Sequence, residues 1–173
     1  MKEKQLGNSH VRFAVESDIP VILDFIKKLA EYEKMSDQVS ATEELLRRSL
    51  FAERKAEVLI AEWEGVPAGF ALFFHNFSTF LGKPGIYLED LFVDPEMRGR
   101  GIGKLLLTTL AGIAVERECG RLEWSCLDWN EPSIRFYESL GAVPMEDWTV
   151  YRVAGDTLAE LSACGGKEGA KVL

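Results

Sequence analysis

The sequence is poor in the residues from which disulfide frameworks and metal sites are built. It has three cysteines and two histidines among 173 residues, and no Cys-x-x-Cys pair. This usage is typical of reduced thiols in a cytoplasmic protein, and we expect no bound metal. Long apolar runs are missing too. The longest, residues 66–74, contains a proline and a glycine and is too short to cross a bilayer. The polar N-terminus has no apolar signal region, so we do not expect export.

Basic charge is also scarce. The chain has 20 Lys and Arg residues against 28 Asp and Glu residues, a net charge of −8. A sequence-independent nucleic-acid binder needs a basic face, so this chain is a poor candidate for one. An anionic lipid surface is repelled for the same reason. Small cations such as polyamines or lysine-like amines are the ligands that such a surface attracts.

The chain does contain a regular order of strand-like and helix-like segments. Alternating or continuous apolar runs predict strands at 11–15, 58–62, 69–74, 86–93, 122–127 and 148–153. Helical spacing and capping residues predict helices at 18–33, 40–50, 102–113, 131–140 and 156–163. This order predicts a single α/β domain over 1–173 with its core at about 11–153. Its twisted sheet should be partly antiparallel, partly parallel and flanked by helices. Residues 164–173 are predicted to form a flexible tail.

One segment combines a strand, a glycine turn and a helix. The turn is Arg98-Gly-Arg-Gly-Ile-Gly-Lys104, and its three glycines allow positive φ and close approach of a ligand. The amides at the helix start and the three basic side chains predict an anion site. The spacing differs from the phosphate loop of nucleotide-binding proteins and from the dinucleotide-binding fingerprint. The predicted anion-binding residues are Arg98, Gly99, Arg100, Gly101, Ile102, Gly103 and Lys104.

The turn resembles the R/Q-x-x-G-x-G/A signature of the GNAT superfamily of N-acetyltransferases. The segments 29–39, 87–90 and 128–137 look like its diamine branch, which includes spermidine/spermine and thialysine acetyltransferases. Segments 32–38 and 127–129 look closer to the thialysine enzymes, and 130–133 closer to the spermidine enzymes, so the amine stays open. The resemblance covers about residues 11–153. It implies direct transfer from acetyl-CoA to an amine in a ternary complex, and a homodimer.

The resemblance implies a coenzyme site on both sides of the turn. The backbone of Leu91, Phe92 and Val93 would pair with the pantetheine arm like an added strand. Asn130, Ser133 and Tyr137 share one face of a predicted helix. The resemblance implies that Tyr137 is the general acid for the coenzyme thiolate, and we assign Asn130 and Ser133 to coenzyme binding. Without the resemblance, the more common role for Tyr137 is that of a packed aromatic residue whose hydroxyl finds a partner.

The substrate amine must lose a proton before it can attack, because alkylammonium groups have a pKa near 10.4. The carboxylates in the predicted neighbourhood are Glu33, Glu89 and Asp90. Strand alternation places Glu89 and Asp90 on opposite faces unless a bulge intervenes. The resemblance implies that Glu89 binds the amine and acts as base through ordered water. It places Tyr32 and Glu33 at the substrate, and we add Asp90 and Trp148 to the substrate contacts, although Trp148 could instead be a core residue.

Two other functions use the same fold. A peptide or protein N-acetyltransferase would need a broad groove rather than an enclosed acidic channel. A non-catalytic acyl-CoA sensor would bind coenzyme without turnover, and the joint presence of Tyr137 and Glu89 counts against it. A two-step route through Cys126 as acyl carrier is disfavoured, because the sequence predicts it in mid-strand with nothing nearby to lower its pKa.

Overall fold

A computed structural model describes residues 4–164 of the chain. One sheet contains six strands in sequential order. They are β1 (Lys4–Leu6), β2 (Ser9–Phe13), β3 (Glu57–Trp63), β4 (Val66–Ser78), β5 (Lys83–Val93) and β6 (Leu122–Trp124). The pairs are antiparallel except β5 with β6, which is parallel. The predicted mixed α/β sheet is therefore confirmed. The hairpin partner β1 was not predicted, because its sequence is too polar and short to show a strand pattern.

Five α-helices lie within residues 4–164. They are α1 (Ile19–Tyr32), α2 (Glu43–Leu46), α3 (Ile102–Glu116), α4 (Glu131–Glu138) and α5 (Asp156–Cys164). The chain forms two compact units, residues 1–125 and 126–173. The first unit holds the whole sheet with α1 to α3, and the second holds α4 and α5. None of the helices within 4–164 is long and apolar enough to cross a membrane.

Helix α1 begins where the sequence predicts. Asp18 precedes it and Pro20 occupies its first turn, where a missing N–H costs no hydrogen bond. The buried face of α1 includes Phe25, whose ring centroid lies 5.7 Å from those of Phe70 and Phe92. Arg12 binds the Asp18 carboxylate through two nitrogens, at 2.7 and 2.9 Å, which anchors the helix start to β2.

The start of α2 shows how a local signal can mislead. A capping box from Ser40 was predicted for α2, but Thr42 is the cap, and its hydroxyl accepts from the Leu45 N–H at 3.2 Å. Ser40 lies too far before the first helical turn for its side chain to reach the end of the helix. Helix α2 continues as a π-helical segment, Arg47–Ala52. Such wide turns depend on packing and leave no simple sequence pattern.

A β-bulge interrupts the pairing of β4 with β5. Leu72 lies opposite Asp90 and Phe73 opposite Leu88, so Glu89 is the extra residue. The bulge puts Leu88 and Phe92 on opposite faces of the sheet, although their spacing in an unbroken strand would put them on one face. Phe92 joins α1 in the core cluster. Asp90 lies opposite Leu72, so the two side chains are on the same face of the sheet. Leu72 packs against the core cluster that includes α1, and Asp90 therefore faces α1.

The second unit contains α4, α5 and an extended segment between them. The prediction of a strand at 148–153 is wrong: within the described residues this segment has no strand partner. Trp148, Val150 and Tyr151 are 70 to 90 % exposed. Their apolar character suggested a strand, but a strand also requires a neighbour to complete its hydrogen bonds. Strand β6 ends at Trp124 rather than at Leu127. Of the predicted flexible tail, residues 165–173 lie outside the described residues, and Cys164 ends α5.

Candidate active site

The glycine turn connects β5 to the N-terminus of α3. Gly99 and Gly101 have φ of 76° and 80°, the left-handed conformation that favours glycine. Gly103 differs from the prediction: it lies inside the first turn of α3 and has no positive φ. Gly101 is the N-cap, and no side chain caps this helix end. The first N–H groups of α3 have no acceptor within the helix and are available to an anion.

The basic side chains of the turn make defined contacts. The Arg100 guanidinium lies over the Trp63 ring, 4.8 Å from its centroid, and that of Arg98 lies 4.9 Å from the Tyr32 ring centroid. Lys104 is exposed, whereas the Ile102 side chain is buried in the core, so only the backbone of Ile102 is available to a ligand. The turn is therefore a positively charged rim around a helix N-terminus.

The outer edge of β5 is open beside this turn. Strand β6 pairs with β5 only at Ile86–Leu88, and from residue 89 to 93 no strand within 4–164 covers that edge. The Asp94 N–H donates to Ala68 on β4. By alternation, Leu91 and Val93 point their backbone groups to the open edge. Phe92 is a correction to the prediction, because its backbone faces β4 and its side chain is buried in the core.

Three carboxylates meet near this edge. The pKa of Asp90 is raised to about 6, mainly because the half-buried carboxylate is desolvated and also because Glu89 and Glu33 place negative charge nearby. Burial also raises the pKa of Glu33. Glu89 projects from the bulge and is exposed. The bulge therefore lets both neighbouring carboxylates serve one acidic cluster, which we define as Glu33, Glu89 and Asp90.

Tyr32 and Glu33 form the C-terminal end of α1. The Glu33 N–H donates to Leu29, and Lys34 follows with a positive φ of 61°, which ends the helix. One turn earlier, Lys28 binds Asp24 and Asp94, at 3.0 Å from a carboxylate oxygen of each. This end of α1 is therefore attached to the segment that leads from β5 into the glycine turn.

The second unit holds the other predicted site residues. Asn130 caps α4: its side-chain oxygen accepts from the Ser133 N–H at 3.4 Å, and the residue is buried. Ser133 and Tyr137 lie one turn apart on α4 and are half-buried. Trp148 is exposed and not a core residue. Cys126 lies outside β6, which corrects its predicted place in mid-strand, and its Sγ lies 3.7 Å from the Leu127 carbonyl oxygen.

Comparison with known proteins identifies this arrangement. The model of the acetyltransferase (GNAT) family matches residues 23–142, which include the acidic cluster, the glycine turn and α4. The chain belongs to the GNAT acetyltransferase family. The predicted assignment to N-acetyltransferase enzymes is thereby confirmed.

The GNAT relatives that this chain matches over most of their length include enzymes named for small amines. The thialysine N-epsilon-acetyltransferase of Bos taurus is 39 % identical over 164 residues, covering 88 % of this chain and 96 % of the relative. An L-ornithine N5-acetyltransferase of Arabidopsis thaliana is 32 % identical, covering 87 % of this chain and 86 % of the relative. An integron cassette protein of V. cholerae superposes with a TM-score of 0.76 at 28 % identity, covering 90 % of this chain and 98 % of that protein.

Several contacts of this GNAT site were not predicted from sequence. The bulge at Glu89 and the two arginine–aromatic pairs, Arg98 with Tyr32 and Arg100 with Trp63, join residues that are far apart in the chain. Trp63 carried no usable signal, because an aromatic residue at a strand end is most often part of the core. The resemblance placed Tyr32 at the substrate, but it gave no sign of the contact with Arg98.

Proposed function

We propose that this enzyme transfers the acetyl group of acetyl-CoA to a primary amine of a small cationic substrate, a polyamine, diamine or lysine-like amine, by direct attack in a ternary complex. The observation that carries the proposal is the environment of Asp90. A half-buried carboxylate with a pKa of about 6, facing α1 within an acidic cluster, suits an ammonium ligand that must lose a proton. The relatives named for thialysine and ornithine support the substrate class.

The residues around the turn fit the coenzyme. Leu91 and Val93 offer an open strand edge of the kind an extended amide-bearing arm can complete. The amides from Gly99 to Lys104 would hold the pyrophosphate, with charge from Arg98 and Arg100. A Cβ built on Gly99 meets no atom within 4 Å, so the space in front of the turn is open. When bound, the coenzyme supplies an acetyl group activated as a thioester.

We propose that the acidic cluster accepts the proton that the substrate amine must lose before it attacks. The exposed Glu89 is suited to first contact with the cation, and the resemblance names it as base through water. Asp90 is the better acceptor on physical grounds, since its raised pKa makes it more basic than an ordinary aspartate while leaving it ionised above pH 6. Glu33 and Tyr32 would hold the remaining cationic part of the substrate.

Tyr137 would return a proton to the departing thiolate. A phenol is neutral at physiological pH and can donate when negative charge develops nearby. Ser133, one turn before it, has its hydroxyl on the same face for the coenzyme. The buried Asn130 sets the start of α4 and so positions both. Trp148 is available to line the amine entrance.

We further propose that residues 1–173 form one acetyltransferase domain, acting in the cytoplasm as a homodimer. The exposed apolar residues of segment 148–153 are a surface that a second copy would cover. Light scattering at micromolar concentration should give twice the 19.4 kDa of the chain. A mass equal to that of one chain would contradict the dimer.

Release of thiol from acetyl-CoA tests the reaction itself. The panel is spermidine, spermine, short diamines, lysine, ornithine, thialysine and a lysine-containing peptide. We expect turnover with small cationic amines and a loss of about 10²-fold or more in kcat/KM for Asp90→Asn. Glu89→Gln is the matched variant and should affect KM more than kcat. Turnover with the peptide alone would favour a protein acetyltransferase, and coenzyme binding without any turnover would favour a sensor.

A further inference from the structure

One arginine contacts both halves of the site. The Arg98 Nε donates to the Val93 carbonyl at 3.2 Å, at the strand edge assigned to the coenzyme. Its guanidinium also lies over Tyr32, 4.9 Å from the ring centroid, at the helix end assigned to the amine. The same residue begins the glycine turn.

The helix end that Arg98 touches also carries a member of the acidic cluster. One turn earlier, Lys28 binds Asp94. Tyr32 is followed directly by Glu33, whose charge contributes to the raised pKa of Asp90. The residue whose ring Arg98 contacts is therefore the direct chain neighbour of a member of the acidic cluster.

We propose that Arg98 is a positioning residue that couples coenzyme binding to amine binding through Tyr32. The proposal rests on the proposed function. A pyrophosphate held by the turn would fix Arg98, and the fixed guanidinium would hold the Tyr32 ring by a cation–π contact. Tyr32 and Glu33 would then be ordered before the amine arrives, which lowers the entropy cost of binding it. By thermodynamic linkage, the amine must tighten coenzyme binding by the same factor.

Calorimetry measures this factor directly. Spermidine and thialysine are titrated into the protein with and without coenzyme A, which carries no acetyl group and so permits no turnover. The coupling factor is the ratio of the two amine dissociation constants. We expect about fivefold or more for the wild-type protein. Tyr32→Leu removes the ring and should lower the factor by about 2- to 5-fold, the range of an exposed cation–π contact.

Tyr32→Phe is the matched control. It keeps the ring, so the coupling factor should stay at the wild-type value even where loss of the hydroxyl weakens amine binding. Arg98→Gln should lower the factor as Tyr32→Leu does, and the double variant should lower it no further. This lack of additivity is a readout that a merely structural role of either residue would not produce. Thermal unfolding of each variant checks that it folds. If Tyr32→Leu does not fold, Arg98→Gln alone still tests the proposal.

Two outcomes would overturn the coupling. One is that the wild-type protein binds both ligands but shows no coupling between them, so that its coupling factor equals one. The other is a factor in both Tyr32→Leu and Arg98→Gln equal to that of the wild type. Either result leaves the acetyltransferase proposal standing. A wild-type protein that binds neither coenzyme A nor any amine would instead overturn the proposed function, and the coupling with it.

Discussion

Replacing Asp90 by asparagine should stabilise the protein while it impairs activity. The half-buried carboxylate ionises at a cost in the folded state, which is why its pKa is raised from 3.8 to about 6. Each pKa unit corresponds to about 1.4 kcal/mol, so ionised Asp90 destabilises the folded state by at most about 3 kcal/mol. Asparagine has nearly the same shape and carries no charge. The variant therefore avoids that cost.

The cost of ionising Asp90 depends on pH, and so does the stability gained by replacing it. Above pH 6 Asp90 is ionised in both the folded and the unfolded state, and the full cost is present. Below the unfolded-state pKa of 3.8 it is neutral in both states, and the cost is gone. The gain in free energy of unfolding for Asp90→Asn should thus be up to about 3 kcal/mol at pH 8 and under about 1 kcal/mol at pH 4. For a chain of this length, the upper limit at pH 8 corresponds to a rise in Tm of about 6 to 12 °C.

The assay is thermal or urea unfolding of the wild type and the variant at pH 8, 6 and 4, without coenzyme. Asp37→Asn, the same exchange at an exposed aspartate, is the control and should change stability by less than about 0.5 kcal/mol at each pH. A variant that is less stable than the wild type at pH 8, or more stable by the same amount at every pH, would refute the reasoning about desolvation.

Three further changes test other parts of the molecule. Tyr137→Phe should lower kcat by about 10²- to 10⁴-fold with coenzyme affinity nearly unchanged; an unaltered kcat would remove the tyrosine from leaving-group protonation. Gly101→Val should weaken coenzyme binding in calorimetry, because a β-branched residue is strained at a φ of 80° and would obstruct the turn; normal affinity would argue against the turn as the coenzyme site. Arg12 lowers the pKa of Asp18, so the stability from their ion pair is present above about pH 4 and lost as the pH falls through the lowered pKa. Asp18→Asn should therefore remove that part of the acid sensitivity, measured by fluorescence between pH 6 and 2.

Features set by short-range chemistry could be predicted from the sequence. Helix α1 and the glycine turn follow from proline, glycine and apolar spacing within a few residues. The start of α4 follows from Asn130, whose side chain caps it. Their physical causes lie within one helical turn of the residues themselves, so a single sequence contains them.

Features that depend on a partner segment could not be predicted. The bulge at Glu89 is a property of two strands, since only the register against β4 shows which residue is extra. For the same reason the apolar residues 148–153 were taken for a strand although no described segment pairs with them. The bulge turns Asp90 to the face of the sheet that packs against α1, and the raised pKa of Asp90 follows from that placement.

The open edge of β5 also bears on how the protein avoids aggregation at high concentration. Unpaired strand edges bind other strands as readily as they bind ligands, and native proteins usually cover, bend or charge them to avoid aggregation. Here residues 89–93 carry two adjacent acidic side chains at one end and lead into a basic turn at the other. Charge at both ends discourages a second chain from docking lengthwise. The stretch between them stays short, so the ionised groups that we propose bind the substrate would also discourage aggregation at this edge.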